Sequence, residues 1–273
     1  WHPSHMTNAS VYTQYQMSTE KFVNNDAKLT ETFFDDTYYF TVYIGDYDSS
    51  AWLKLMVPDC FKPNDQRGEI PLMWAFNPNL ADRVPMIFDY VYENKTELDY
   101  FTTGDTGAGY VFPSRLEDLD KWVAYNQPYL EKFDMDIVGF IIDNEGLRKD
   151  VLEAYTEITP YGAFTNVGTY ASDYLTVMDE EWVFLREMDI YPNDSEDWMP
   201  EMVNQFTRYG KYNFAGFRCI RQYTPRIVDS VNRFVEWANA RNDGYEYMYV
   251  DTYTLFDLIL QYLQYLKFRL ILQ

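Results

Sequence analysis

The segment 137–165 reads IVGFIIDNEGLRKDVLEAYTEITPYGAFT, and it contains the repeating unit of the chain. It opens with an apolar run at 137–142 and closes with a second short apolar run at 162–165. Between the two runs, residues 150–157 place apolar side chains at helical spacing. A strand, an amphipathic helix and a second strand in this order are typical of a βαβ unit, whose two strands are parallel.

The same alternation repeats along the chain from residue 38. We predict strands at 39–44, 72–76, 100–103, 137–142, 162–165, 182–186, 215–220 and 247–250. We predict amphipathic helices at 79–92, 115–132 with Ser114 as its N-cap, 150–157, 196–209, 225–240 and 252–267. Strands that alternate with helices indicate an α/β protein with a parallel sheet. Seven or eight such units fit a TIM-like, irregular (β/α) barrel, and a doubly wound open sheet is the alternative.

The domain organisation follows from where the alternation begins. Residues 1–30 are polar and weakly periodic, so we expect a polar N-terminal arm or the remnant of a missing upstream domain. No Pro-, Gly- or Ser-rich linker interrupts the rest, so we predict one barrel domain over residues 31–273. No run approaches the roughly 18 consecutive apolar residues of a membrane span, and none is expected.

The composition excludes one class of partner and leaves another open. Acidic residues number 43 against 22 basic ones, which gives a formal charge of −21. Nucleic-acid binding needs clustered Lys and Arg, so it is excluded. Phe, Trp and Tyr make up 19% of the chain. Aromatic rings stack on sugar rings and also fill cores, so composition leaves carbohydrate contact and core packing as alternatives.

The histidine and cysteine residues limit the kinds of catalytic and metal site that the chain can form. The only histidines are His2 and His5, so a His-based zinc site and a Ser-His-Asp triad are excluded for the folded body. Cys60 and Cys219 could form one disulfide or remain two buried thiols. N-x-S/T sequons, which matter only in a eukaryotic secretory pathway, occur at Asn8, Asn94 and Asn193. We expect a secreted or cell-surface protein.

Polar side chains follow the carboxyl ends of most predicted strands. They are Asp46, Asp48, Asn77, Asp105, Asp143, Asn144, Glu145, Asn166, Arg218, Arg221 and Asp251. Sites in parallel α/β folds lie at the carboxyl ends of strands, so we expect these groups to converge on one face. Two carboxylates there could hydrolyse a glycosidic bond, one as acid and one as nucleophile or base. Asp oxygens could instead bind Ca²⁺ or Mg²⁺, and any single Asp could simply cap the next helix.

The loop 104–113, GDTGAGYVFP, holds three glycines in six residues. Glycine lets a backbone take positive φ or approach another group closely. The loop lacks the Gly-Lys-Ser/Thr ending of a P-loop and does not fit G-x-G-x-x-G. Asp105 would also repel a phosphate, so nucleotide binding is excluded.

At this loop the sequence resembles a known family. Residues 107–113, GAGYVFP, are similar to the motif that names the GxGYxYP family of putative glycoside hydrolases, with Phe112 in place of the second Tyr. Segments 43–52, 70–82, 99–105 and 249–256 also resemble the family in order and spacing. The resemblance covers about residues 38–262 and corresponds to the family's C-terminal domain. It implies a TIM-barrel-like domain, usually preceded by a separate N-terminal domain, with activity on carbohydrate.

These observations predict a carbohydrate-active hydrolase. We expect Asp46, Asp48 and Asp105 to form its acidic core. Further catalytic candidates are Asp143, Glu145 and Asp251. Candidates to bind sugar are Trp52, Trp74, Asn77 and Tyr110, although core packing suits either Trp as well.

Two other functions are consistent with the sequence. The first is a non-catalytic carbohydrate-binding or structural extracellular glycoprotein module. It is favoured by Tyr47 and Ser49, which replace the Gly and Asn of the family's segment. The second is a divalent-metal-dependent hydrolase of substituted sugars, with Ca²⁺ or Mg²⁺ held by Asp46, Asp48 and Asp105. We expect no other cofactor.

Overall fold

The computed structural model describes residues 9–26, 30–45, 49–61, 66–190, 192, 197–208, 212–220 and 224–271. Its strands are β1 Thr37–Gly45, β2 Leu72–Phe76, β3 Asp99–Asp105, β4 Ile137–Ile141, β5 Gly162–Thr165, β6 Leu175–Met178, β7 Trp182–Ile190, β8 Phe214–Ile220 and β9 Glu246–Tyr249. Its helices are α1 Ala9–Tyr12, α2 Ser50–Cys60, α3 Pro85–Glu93, α4 Leu119–Phe133, α5 Lys149–Ile158, α6 Trp198–Arg208, α7 Thr224–Ala240 and α8 Thr252–Ile271.

Seven parallel strands close into a barrel in the order β2-β3-β4-β5-β7-β8-β1. The ring closes where Tyr43 and Ile44 of β1 pair with Met73 and Trp74 of β2. The first half of β1 pairs with β9 instead, so β9 adds an eighth parallel strand at this seam. The predicted (β/α) barrel is therefore confirmed, and the open-sheet alternative is wrong.

Several elements differ from the sequence-based expectation, and the predicted helix 79–92 consists of a 3-10 helix, Pro78–Asp82, followed by α3. The strand β6 was not predicted, and it forms an antiparallel hairpin with β7. The helix α2 was not predicted either, because its charged residues and an internal Pro58 obscure its periodicity. The helix α4 starts at Leu119, where the Asp118 carboxylate accepts a hydrogen bond from the Lys121 amide at 3.0 Å. Ser114 lies instead in a 3-10 turn, Pro113–Arg115, and does not cap α4.

The core has two layers, because successive strand residues point to opposite faces. Tyr39, Tyr43 and Tyr100 fill the interior of the barrel together with aliphatic side chains of the other strands. Phe40 and Trp74 belong to the larger layer between the barrel and its helices. Many of the aromatic residues therefore serve packing, which is one of the two uses that composition left open.

The segment before the barrel does not form a free arm over its described part. Phe22 is buried, and its ring centroid lies 4.7 Å from that of Tyr92 and 5.1 Å from that of Phe133. The Asn24 side-chain amide donates to the Phe101 carbonyl at 2.6 Å. One aromatic side chain in a polar stretch is enough to dock it, since burial of a Phe contributes about 2 kcal/mol.

Two further expectations concern cysteine and the membrane. Cys60 and Cys219 are both buried free thiols, so the two-thiol alternative holds. Within the described ranges, no helix combines the length and the apolarity needed to cross a bilayer.

Candidate active site

The glycine-rich loop follows β3 and is anchored to α4. Gly107 has a φ of 130°, and a Cβ on it would lie 2.5 Å from the Asn126 Oδ1 atom. That same oxygen accepts a hydrogen bond from the Ala108 amide at 2.6 Å. Only glycine fits the first position, because both the backbone angle and the close approach exclude a side chain. The motif therefore fixes the path of a loop at the mouth of the barrel.

Tyr110 projects from this loop into solvent and keeps 49% of its surface exposed. Its ring meets the edge of Phe112 at a centroid distance of 5.6 Å. The Asn79 side-chain amide donates to the Tyr125 hydroxyl at 3.3 Å, and Tyr125 is also 49% exposed. Exposed tyrosines with neighbouring amides suit contact with a sugar ring. The candidate Tyr110 is thus accessible.

Trp74 is placed very differently. It is fully buried, its ring packs edge-on against Phe61, and its Nε1 donates to the Asp99 carboxylate at 2.8 Å. A side chain in this position cannot stack on a sugar, so the expected sugar contact is replaced by a core role. Trp52 lies in α2, and its side chain is outside the described ones.

Asp143 is engaged by the backbone around it. Its carboxylate accepts hydrogen bonds from the Ser114 amide at 2.8 Å and the Ser114 hydroxyl at 2.5 Å. The amides of Asn144 and Glu145 donate to it at 2.7 and 3.1 Å. The residue is 1% exposed. Four donors and deep burial make Asp143 a structural clamp between two loops, and we assign it no catalytic role.

Asp251 and Glu145 also differ from the expectation. Asp251 is fully buried and accepts from the Thr254 amide at 2.9 Å and its hydroxyl at 2.6 Å. This is the geometry of an N-cap at the start of α8. The Glu145 side chain is 65% exposed and lies 3.8 Å from the Arg115 guanidinium. The conformation of Asp251 is explained by its role as an N-cap. The Glu145 carboxyl is exposed to solvent and lacks the burial that a general acid needs.

Asn77 and Asp105 lie at the carboxyl ends of neighbouring strands and are both buried. The Asn77 Oδ1 atom has no hydrogen-bond partner within the described part of the chain. A Cβ on Gly104 would collide with that oxygen, so the glycine leaves space for the amide. Asp105 is the last residue of β3 and adds negative potential to the barrel mouth. Asp46, Asp48, Arg221 and the sequon residues Asn8 and Asn193 lie outside the described residues.

Glu187, which lies near the carboxyl end of β7, was not predicted as a site residue from the sequence. It is 5% exposed, and neither carboxylate oxygen has a hydrogen-bond partner among the described residues. Burial raises the pKa of Glu187 well above its ordinary value, and the charges of Asp189 and Asp105 raise it further. The nearby Arg218 guanidinium lowers this pKa but does not outweigh the burial. Burial therefore favours the protonated, neutral form of the Glu187 carboxyl over its charged form.

A second acidic group lies two residues further along the same strand. The Asp189 carboxylate accepts from the Arg218 Nε atom at 2.7 Å, and its side chain is 42% exposed. The Arg218 guanidinium also lies 4.1 Å from the centroid of the Phe140 ring. Residues two apart on a strand face the same side. Glu187 and Asp189 thus form a pair of carboxyls with different surroundings. The Glu187 carboxyl is buried, whereas the Asp189 carboxyl is partly exposed to solvent and ion-paired with Arg218.

This pair borders a cavity of about 430 Å³ at the carboxyl ends of the strands. Its described lining consists of Phe140, Ile142, Asn166, Arg186, Glu187, Met188, Asp189, Gln205, Arg208 and Arg218. A volume of this size accommodates a small ligand, and its position is the one at which barrel enzymes carry their sites. In the described part of the chain, no group of three acidic, His or Cys side chains is arranged to hold a metal ion.

The chain thus forms a (β/α) barrel with a buried carboxyl, Glu187, and an ion-paired carboxylate, Asp189, beside a cavity at the carboxyl ends of its strands. The chain belongs to the GxGYxYP family, because the profile described as "GxGYxYP putative glycoside hydrolase C-terminal domain" matches residues 36–209. The resemblance found in the loop is therefore confirmed. No protein with a curated description matches the chain.

Two solved structures have similar folds. One is described as a putative hydrolase from Bacteroides thetaiotaomicron VPI-5482, with 20% identity and a TM-score of 0.67. That match covers 93% of this chain and 51% of the other, so this chain spans about half of that protein. The other is described as a putative polysaccharide deacetylase from Mycobacterium smegmatis, with 12% identity and a TM-score of 0.51, and covers 92% and 96% of the two chains. Both support the barrel fold alone.

Proposed function

We propose that the chain is a glycoside hydrolase whose general acid is Glu187. The observation that carries the proposal is the environment of this carboxyl. It is buried at the mouth of the barrel, no described residue donates a hydrogen bond to it, and burial raises its pKa. Glycosidases need one carboxylic acid that is protonated at working pH, and burial is the usual means. In this proposal the catalytic pair lies on β7, while the roles expected of Asp46 and Asp48, which lie outside the described residues, stay predictions.

The two carboxyls have complementary tasks in such a reaction. Glu187 donates its proton to the glycosidic oxygen, so that the bond to the anomeric carbon breaks and the leaving sugar departs as an alcohol. Asp189 is ion-paired with Arg218 and faces the positive charge that develops on the sugar ring. Asp189 then acts either as the base that activates water or as the nucleophile. The configuration of the released sugar distinguishes these roles.

Asp105 and the exposed tyrosines have supporting roles in this proposal. Asp105 strengthens the proton affinity of Glu187 from the opposite side of the mouth. Tyr110 and Tyr125 offer ring faces near the glycine-rich loop, where further sugar units of a polymer could lie. Because polymeric carbohydrate is largely an extracellular substrate, we also propose a secreted or cell-surface location.

The test compares Glu187→Gln with Glu145→Gln, a matched change at an exposed carboxyl of the same mouth. On oligosaccharides, Glu187→Gln should lower kcat about 10²- to 10⁴-fold, as expected for loss of a general acid. Glu145→Gln should leave kcat within about twofold, because its charge is exposed to solvent. On a 4-nitrophenyl glycoside the loss should be much smaller, since this leaving group needs no proton.

Two results would count against the proposal. If Glu187→Gln keeps most of the activity on oligosaccharides, Glu187 is not the acid. If the wild-type chain binds sugars but releases no reducing ends, the non-catalytic module is the better description. Release of acetate from acetylated sugars, lost on treatment with a chelator, would favour the metal-dependent alternative suggested by the deacetylase neighbour.

A further inference from the structure

The cavity bordered by Glu187 and Asp189 at the barrel mouth differs in its balance of charged residues from the protein as a whole. The chain carries 43 acidic against 22 basic residues. Yet the described residues that line the cavity include three arginines, Arg186, Arg208 and Arg218, and two acidic side chains. One of the two is Glu187, which is neutral in its protonated form. Among the described lining residues, cationic groups therefore outnumber anionic ones where the proposed reaction occurs.

These arginines come from three different elements. Arg186 lies on β7 directly before Glu187, and its Cα is in register with Thr165 of β5. Arg218 lies on the adjacent strand β8, in register with Asp189. Arg208 is the last residue of α6. Three separate elements of the fold thus bring guanidinium groups to one cavity. This arrangement differs from a run of neighbouring basic residues on the surface.

Arg186 differs from Arg218 in how its charge is balanced. The Arg218 guanidinium is paired with Asp189 at 2.7 Å. Arg186 is half-buried, and within the described chain its guanidinium has neither an ion pair nor a hydrogen bond to a side chain or carbonyl. A partly desolvated guanidinium is costly to leave unpaired, because it loses water contacts without replacement. An anionic group of a ligand would supply the missing partner.

Arginine also selects the kind of anion. Its planar guanidinium makes two parallel hydrogen bonds to a carboxylate and matches the oxygens of sulfate or phosphate equally well. On a sugar, the corresponding groups are the carboxylate of a uronic acid and a sulfate ester. Neutral sugars offer only hydroxyl groups, which have no need of clustered positive charge.

We infer that the cavity binds an anionic sugar, a uronic acid or a sulfated residue, with Arg186 as the residue that recognises its acidic group. This inference rests on the proposed function, since it places the acidic sugar beside Glu187. Anionic sugars would then be the substrate class of a protein whose own net charge is −21. The strongly negative surface would repel such polymers in general, so binding at this cavity depends on a local group of positive charges.

The experiment measures binding to Glu187→Gln, so that turnover does not interfere. The probes are two matched pairs: oligogalacturonate with its methyl ester, and a sulfated galactan oligosaccharide with its desulfated form. At least one acidic member should bind about tenfold more tightly than its neutral partner, a difference that corresponds to one charge-assisted contact. Which pair shows the preference distinguishes a carboxylate from a sulfate.

Adding Arg186→Gln should remove most of this preference while leaving the affinity for neutral members unchanged. Arg186→Lys should restore part of it, and Arg115→Gln, a change at an exposed arginine outside the cavity, should have no effect. Equal affinity for acidic and neutral members, or no binding of any acidic member, would overturn the inference. So would an Arg186→Gln variant that keeps the preference.

The two proposals fail in different ways. Glu187-dependent hydrolysis of neutral oligosaccharides without an acidic preference would keep the hydrolase and discard the anionic substrate. Arg186-dependent binding of acidic sugars without release of reducing ends would keep the anion site and discard the hydrolase.

Discussion

The two sides of the barrel mouth treat a buried carboxyl in opposite ways. On the β4 side, Asp143 receives four hydrogen bonds from the loops around it. On the β7 side, Glu187 is nearly as buried and receives none from the described residues. Both are acidic, and both lie near the carboxyl end of a strand of the same sheet. The difference is that the Asp143 carboxylate joins two loops, whereas no described residue donates a hydrogen bond to the Glu187 carboxyl.

This contrast distinguishes a structural carboxylate, Asp143, from the proposed general acid, Glu187. A carboxylate that accepts backbone amides is stabilised in its charged form, and the fold gains from it. A carboxyl that is buried without donors destabilises its own charged form, and the fold pays for it unless the group is protonated. Position at a strand end does not tell the two apart. The number of donors within hydrogen-bond distance does.

Asp143→Ala is expected to show the largest effect on stability. It removes the acceptor for four donors, three of them backbone amides, and should lower the free energy of unfolding by about 3 kcal/mol. Urea denaturation followed by tryptophan fluorescence measures this value. Glu187→Gln is the control and should leave stability unchanged or slightly higher at neutral pH. A loss below about 1 kcal/mol for Asp143→Ala would contradict the clamp.

The pH dependence of stability should reveal Glu187 itself. Its pKa is raised in the folded state, so its contribution is fully present below the unfolded pKa, which is about 4.5. That contribution is lost as pH rises through the folded pKa, at about 1.4 kcal/mol per pH unit between the two values. The measurement is the free energy of unfolding of wild type and of Glu187→Gln across about pH 4 to 8.

In that comparison, all other titrating groups are common to both proteins. The stability of wild type relative to Glu187→Gln should therefore fall as pH rises, because the glutamine cannot ionise. Two parallel curves would mean that the Glu187 pKa is close to its ordinary value. The proposed role of Glu187 as a buried acid would then be contradicted, while the structural role of Asp143 would be unaffected.

Asp251→Ala should give the smallest effect. Asp251 caps α8 through the Thr254 amide and hydroxyl, and removal of such a cap costs about 1 kcal/mol. Asp251→Asn should recover most of the loss, since Asn is an equally good N-cap. Thermal unfolding of the two variants checks this. An Asn variant as unstable as the Ala variant would point to a role of the negative charge beyond capping.

Most of the fold could be predicted from the sequence, for a physical reason. Strands of a parallel barrel are covered on both faces, so they are continuous apolar runs that stand out between amphipathic helices. Leu72–Phe76 and Gly162–Thr165 coincide with the predicted segments. The hairpin strand Leu175–Met178 was missed because it is short, and no glycine or proline marks its turn. Asp179 and Glu180 take positive φ there instead.

The candidate site was less predictable. The strand containing Glu187 was expected to end at Arg186, so its acidic residues were never considered as strand-end groups. The signal was present: Val183, Leu185, Glu187 and Asp189 continue one alternating face. What a sequence cannot supply is the count of donors around each carboxyl, since two of the four donors to Asp143 come from Ser114, 29 residues earlier. Capping, which was one of the alternatives for any strand-end Asp, explains Asp251.

The seam of the barrel has a consequence for biosynthesis. β1 pairs along seven positions with β8, but only at two with β2. Its principal neighbour is therefore made some 170 residues later, which takes about 10 to 30 s on a ribosome. During that interval a nine-residue apolar strand has lasting hydrogen-bond partners along only a small part of its length. Cells that make this protein must shield that strand, so its yield should depend on chaperone supply more than its final stability would suggest.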